Sequence, residues 1–183
     1  LPYQRGGMGD HMTGLAAAGG VAAALFQRHT TGKGRLVETS MLRLGMYQMG
    51  TDLSANVRLG TKTFATPLHR AVNPLLTGYQ GSDGEWFWLL CLEGDRHWPR
   101  VLAALDRPDL ADDPRFDKPG RRLRNTGALR EITEPWFLAR TKHEVMEHLG
   151  QAGVPVAAVL DTVEVFHDPH LKARDFFTTV PHP

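Results

Sequence analysis

Met12-Thr13-Gly14-Leu15-Ala16-Ala17-Ala18-Gly19-Gly20-Val21-Ala22-Ala23-Ala24-Leu25-Phe26-Gln27-Arg28 carries the reading of the fold, together with Thr31-Gly32-Lys33-Gly34 and Arg35-Leu36-Val37-Glu38-Thr39 that follow it. The first run predicts a helix whose surface is almost free of side chains. A glycine inside a helix costs about 1 kcal/mol relative to alanine. Several in one helix therefore call for a compensating close approach by another backbone or a ligand. Leu15, Val21, Leu25 and Phe26 supply the bulkier contacts, and Thr31-Gly32-Lys33-Gly34 reads as the stop. Arg35 to Thr39 alternates around Val37 and predicts a short strand. Ser40 is placed to cap a second helix, Met41 to about Val57, where Leu42, Met46, Met49 and Leu53 recur at three- and four-residue spacing. Helix, strand and helix in tandem read as part of an α/β layer.

Working outward, the pattern fades from Leu59 to Asn73, where Gly60, Thr61, Thr63, Thr66 and Pro67 predict an extended connector and a domain boundary. Leu75–Tyr79, the turn Gly81-Ser82-Asp83-Gly84 and Glu85–Leu92 predict a β-hairpin. Gly94–Leu105 predicts a helix with Trp98, Val101, Leu102 and Leu105 on one face. A loop through Pro108 and Pro114 leads to a helix over Arg121–Leu138, bent near Pro135. Thr141 and Glu144 have capping-box spacing, as do Asp161 and Glu164, with a strand expected between them over Pro155–Leu160. Asp168-Pro169 starts a further short helix, and Phe176–Val180 is extended.

The 183 residues carry 21 Lys plus Arg against 20 Asp plus Glu, a balance that offers no electrostatic case for nucleic acid or an anionic membrane as partner. No apolar run is long enough to span a bilayer. The single cysteine, Cys91, excludes an internal disulfide and makes a reducing, cytoplasmic setting the default expectation. It lies in the apolar run Trp86–Leu92 and reads as a core residue. The chain begins with Leu rather than Met, which suggests a processed or partial sequence.

Asp10, between Gly9 and the helix, admits two readings. It is a good N-cap residue, and the cap is the better reading of the local pattern alone. It is also a carboxylate at a helix start, beside glycines that leave the backbone open, which suits a covalent nucleophile. His11 is adjacent, and adjacent helical residues do not face one another, so the two make no His–Asp pair. The histidines show no metal-ligand spacing; His167 and His170 are separated by Pro169. Gly32-Lys33-Gly34 lacks the P-loop spacing, and Gly6-Gly7-Met8-Gly9 lacks the preceding strand of a dinucleotide fingerprint. Glu93 and Asp95 read as a solvated residue and a helix cap, with a second active-site carboxylate as the rival reading. Arg121, Arg122 and Arg124 read as a solvated helix face, and Trp86, Trp88, Trp98 and Trp136 as core residues.

The motifs Gly9-Asp10, Gly14, Ala23-Ala24-Leu25, Arg28, Thr31-Gly32-Lys33-Gly34, Val37 and Ser40-Met41 resemble those of the family III CoA-transferases, a family that extends to α-methylacyl-CoA racemase. The resemblance continues in order through Asp83-Gly84, Asp95-Arg96-His97-Trp98, Leu110-Ala111-Asp112-Asp113-Pro114-Arg115-Phe116, Ala152-Gly153-Val154-Pro155 and Asp168-Pro169-His170-Leu171-Lys172-Ala173-Arg174. It implies an α/β fold: part of a Rossmann-like large domain over residues 1–60, a connector over 61–74, a smaller α+β domain over 75–165, and a return segment over 166–183. It implies an internal portion of a longer protein, working as an interlocked homodimer. By position Asp10 matches the family's catalytic aspartate. The chemistry implied is transfer of coenzyme A from an acyl-CoA to a carboxylic acid through an aspartyl-CoA thioester, with the CoA thioester as substrate, no permanently bound cofactor and no metal. A racemase using the same aspartate as a proton shuttle, and a truncated dimerising fragment without activity, are the alternatives. The motif Asp95-Arg96-His97-Trp98 leans towards transferase, whereas Tyr79-Gln80-Gly81-Ser82-Asp83-Gly84 is not the glycine run of the formyl-CoA type.

Overall fold

The glycine-rich run forms one helix, α1 (Met8–Thr31), longer at both ends than the sequence predicts. The computed structural model describes residues 6–60 and 73–181. These belong to two compact units, Leu1–Ala65 and Thr66–Pro183. Most of the expected connector lies outside the described residues.

In the first unit α1 ends where Gly32, at φ +69°, takes the left-handed conformation and donates its N–H to the Arg28 carbonyl at 2.8 Å. At one glycine of the small-residue surface a side chain, rather than the expected backbone or ligand, comes close, while Gly14 and Gly19 meet nothing within 4 Å. A Cβ built on Gly20 would stand 2.8 Å from Val37 Cγ1, so the segment after the helix folds back on a glycine. That segment, residues 33–40, corrects the strand expected at 35–39: among the described residues it has no ladder partner. Alternation supplies a face, but a strand also needs a neighbour for its N–H and C=O groups. Ser40 caps as expected, its hydroxyl accepting from the Arg43 N–H at 3.2 Å. The single helix expected from Met41 is instead two, α2 (Met41–Gln48) and α3 (Gly50–Leu59), meeting at Met49. Gly50 and Thr51 are poor helix residues, and the break falls beside them. No described residue of this unit is buried.

The second unit has a core. Strands β1 (Leu76–Gln80) and β2 (Trp86–Leu90) form the predicted antiparallel hairpin, with Tyr79 opposite Phe87 and Gly78 opposite Trp88. Strand β3 (Val156–Ala158) pairs antiparallel to β2, giving the order β1-β2-β3. Side chains alternate across the sheet. Tyr79, Phe87 and Leu89 point into the core, whereas Trp88 is 40% exposed on the other face. Of the four tryptophans only Trp98 is fully in the core; Trp86 and Trp136 are half-buried and Trp88 is exposed, which corrects the expectation for that residue.

Helices α4 (Gly94–Ala104), α6 (Thr126–Leu138) and α7 (Lys142–Gln151) supply the rest of the core with Trp98, Val101, Leu129, Phe137, Val145 and Leu149. Phe137 meets Tyr79 at 4.8 Å and Phe87 edge-on at 5.3 Å between ring centroids. Helix α6 runs through Pro135 without interruption. The interruption comes at Asn125, between α5 (Pro119–Arg124) and α6. There the Asn125 amide donates to the carbonyls of Arg121 and Arg115 at 3.0 and 3.1 Å, competing with the helical ladder. Both predicted capping boxes are present, at the starts of α7 and α8 (Thr162–His167), and Pro169 opens α9 (Pro169–Ala173).

Candidate functional site

Asp10 is the third residue of α1, not its cap. The cap is Gly7, at φ +78°, with no side chain to accept from the first turn. This corrects the N-cap reading and leaves the carboxylate exposed on the first turn. The N–H groups that open a helix have no partner within it and carry partial positive charge. A negative charge there gains about 0.3–1 kcal/mol. Around Asp10 the backbone is open: a Cβ on Gly14 would meet nothing within 4 Å, and one on Gly9 would touch only Met41, at 3.6 Å. Thr13 Oγ1 donates to the Gly9 carbonyl at 2.7 Å, tying its side chain to its own helix. His11 does not face Asp10; its ring lies against Gly7.

The other candidates fall within the second unit. Cys91 is fully buried, and burial pushes its thiol up to about 11, which suits a core residue and not a nucleophile at neutral pH. Glu93 pairs with Arg96 at 3.2 Å on the surface. Asp95 is not a cap: its carboxylate accepts from Arg122 Nη2 at 2.6 Å.

Arg122 corrects the expectation of a solvated basic face. It is 3% exposed, donates to the Phe116 carbonyl at 2.8 Å, and lies over the Trp98 ring at 5.0 Å. The signal was in the spacing, for Arg122, Thr126, Leu129, Thr133 and Phe137 recur every three or four residues and are all buried. Arg121 instead pairs with Asp117 at 2.9 Å. Gly32-Lys33-Gly34 is the stop of α1, as its turn reading requires. His167 bonds the Val163 carbonyl at 2.9 Å, and no group of metal-ligating side chains occurs among the described residues.

Sequence reasoning missed a charged cluster at the hairpin tip. Lys142 is nine-tenths buried and donates to Glu164 at 2.6 Å and to the Val159 carbonyl at 3.3 Å, with Glu85 at 3.7 Å. Its backbone N–H donates to Asp83 at 2.9 Å. Desolvation raises the Asp83 carboxyl, but the N–H groups of Lys142 and Glu85 and the Lys142 charge outweigh it and hold the group below its usual range. The bond from Lys142, then that from the Asp161 N–H, lowers Glu164. Lys142 is itself raised: desolvation lowers it, and Glu164, Glu85 and Asp83 overcome that. No single motif announces this cluster, because its charged members come from three separate segments.

Residues 2–183 match the profile of the family described as CoA-transferase family III. Among curated proteins, the chain is 29% identical to formyl-CoA:oxalate CoA-transferase of Streptomyces avermitilis, over 96% of this chain and 46% of that protein. It is 30% identical to succinyl-CoA:mesaconate CoA-transferase of Haloarcula hispanica, over 97% of this chain and 43% of that protein. It is 29% identical to cinnamoyl-CoA:phenyllactate CoA-transferase of Clostridium sporogenes, over 97% and 43%. The fold matches a CAIB/BAIF family protein from Brucella suis with TM-score 0.77 and 24% identity, over 95% of this chain and 46% of that one. The chain thus spans less than half the length of these relatives.

Proposed function

Because the chain belongs to CoA-transferase family III, we propose that the protein it is part of moves coenzyme A from an acyl-CoA donor to a carboxylic acid acceptor, with Asp10 as the covalent nucleophile. An Asp10 oxygen attacks the thioester carbonyl carbon; the C–S bond breaks and CoA leaves as thiolate. The thiolate attacks the Asp10 carbonyl of the mixed anhydride, releases the donor carboxylate and leaves an aspartyl-CoA thioester. The acceptor carboxylate displaces the thiolate from that thioester, and the thiolate then takes the acceptor's acyl group, freeing Asp10. No net proton is consumed. Each tetrahedral intermediate carries an oxyanion that N–H groups of the first helical turn can stabilise.

The observation that carries this reading is the exposed carboxylate on the first turn of α1, at the end of the helix that favours negative charge. The named relatives support the substrate class, an acyl-CoA and a carboxylic acid. Their acyl groups run from formyl to cinnamoyl at the same identity, 29%, so likeness to them selects none. The same reading takes residues 1–60 as part of a Rossmann-like large domain, 75–165 as a smaller domain, 166–183 as a return segment, and the whole protein as a cytoplasmic interlocked homodimer.

The test is hydroxylamine trapping. The complete gene product carrying this chain is incubated with acyl-CoA, quenched with hydroxylamine and digested. A hydroxamate on the Asp10 peptide, lost in Asp10→Asn, is expected. CoA exchange continuing with Asp10 unlabelled would overturn the nucleophile. Deuterium uptake at the α-carbon without acyl exchange would replace the transferase with a racemase.

A further inference from the structure

The turn in front of Asp10 is held in an unusual way. An N-cap residue normally takes an extended backbone and accepts the first-turn N–H groups with its side chain. Gly7 does neither, since it sits at φ +78° and has no side chain. Among the described residues, His11 approaches it in two ways. The His11 N–H donates to the Gly7 carbonyl at 2.8 Å. The His11 ring lies across the place a side chain would take: a Cβ on Gly7 would stand 3.1, 3.4 and 3.6 Å from Cε1, Nε2 and Nδ1. The ring thus borders the space a side chain on Gly7 would need, and among the described residues no side chain at the cap position takes the first-turn N–H groups.

We propose that His11 is a positioning residue for the transfer reaction, its ring packed on Gly7 so as to hold the uncapped first turn of α1 in place beneath Asp10. This rests on the nucleophile reading of Asp10. A side-chain cap would steady the turn but would use the N–H groups that a developing oxyanion needs. A ring laid on a glycine steadies it and leaves them open. The role is packing, not proton transfer, so a ring without nitrogen serves as well.

Two measurements on the complete gene product test this, with His11→Ala, His11→Phe and Gly7→Ala. The first is hydrogen exchange at the His11 amide, which needs no activity. His11→Ala is expected to speed it about tenfold through local opening, and His11→Phe to leave it near wild type. The second is the rate of Asp10 labelling from acyl-CoA. His11→Ala is expected to lower kcat about tenfold with KM nearly unchanged, the signature of lost geometry at the reacting group. His11→Phe recovers it. Gly7→Ala, with a strained φ and a Cβ against the ring, falls with His11→Ala. Unchanged exchange in His11→Ala overturns the packing role. A His11→Phe enzyme as slow as His11→Ala, with normal exchange, overturns it in favour of chemistry by the imidazole. If wild type labels elsewhere than Asp10, the nucleophile reading fails and with it the catalytic half of the proposal, while exchange still decides whether the ring holds the turn.

Discussion

Phe26 and Phe137 are the same side chain in two different circumstances. Phe137 is 1% exposed among Tyr79, Phe87 and Trp136, and Phe26 is 73% exposed on α1. The contrast extends to the units that hold them. The second unit closes an apolar core on itself, whereas the first leaves Leu15, Leu25, Leu42, Met46, Tyr47 and Val57 more than half exposed. Leu42, Met46, Met49 and Leu53 nonetheless recur at the three- and four-residue spacing of a core helix. Periodicity therefore tells which face of a helix is meant to be covered, and not whether the covering residues lie in the same stretch of chain.

The sharpest way to break this comparison is to truncate both rings in the isolated chain. Phe137→Ala should cost about 3–5 kcal/mol, the usual toll of a large cavity in a closed core. Phe26→Ala should cost under about 0.5 kcal/mol, as a surface change does. Urea unfolding followed by tryptophan fluorescence and by circular dichroism measures both. A Phe26→Ala penalty of several kcal/mol would mean that the first unit has a core of its own.

Two glycines repeat the comparison at smaller scale. A Cβ on Gly81 would meet the Lys142 nitrogen at 2.7 Å and the Arg140 oxygen at 2.8 Å, both backbone atoms that cannot swing away. Gly81→Ala should therefore cost about 2–3 kcal/mol, as overpacking does. Gly14 meets nothing within 4 Å on a regular helix. Gly14→Ala should raise the helix content of the chain and stabilise it by about 0.5–1 kcal/mol. Thermal melts of the two variants should move in opposite directions, and a loss of helix in Gly14→Ala would show that its surface is covered.

The Lys142 cluster adds a pH dependence that belongs to the second unit alone. Asp83 and Glu164 are held below their usual values of 3.8 and 4.5. Their contribution is complete above those values and is lost as pH falls through the lowered ones. Lys142 is raised above 10.5, so its contribution is complete below that value and is lost as pH rises through the raised one. Urea midpoints of the second unit should decline on both limbs, and Lys142→Met should flatten the acid limb. An unaltered acid limb in that variant would assign the loss to other carboxylates, such as Asp113 beside Arg115.

These contrasts show which features were legible beforehand. The hairpin, both capping boxes and the stop at Gly32 were readable because each is decided within a few residues. The mixed α/β class was readable from the hairpin and its helices, whereas the layer read over Met12–Val57 rested on a strand that does not form among the described residues. The break at Asn125 was not, because it depends on a side-chain bond to Arg115, ten residues away. The spacing of Arg122 with Thr126 and Leu129 hinted at its burial, but its partners Asp95 and Trp98 come from another helix and were not readable. The segment at 33–40 fails in the opposite sense, since its residues suit a strand and the partner is absent among the described residues. At the candidate site, the family motif located Asp10, while the left-handed turn at Gly7 and the ring of His11 came only from the structure.

The smallest effects should separate the units most subtly, through two caps of similar kind. The Asp161 carboxylate accepts from the N–H groups of Val163 and Glu164, both at 2.7 Å, and Ser40 accepts from that of Arg43 at 3.2 Å. Losing either cap costs about 1 kcal/mol locally. Helix α8 begins next to the Lys142–Glu164 pair, so Asp161→Ala should shift the cooperative unfolding of the second unit by that amount. Helix α2 has eight residues and none buried. A helix that short is marginal without tertiary packing. Ser40→Ala should therefore appear as a non-cooperative loss of helical signal at low urea, with the main transition unmoved. The same substitution in the complete gene product should instead shift a cooperative transition, if the apolar faces of α2 and α3 are covered there.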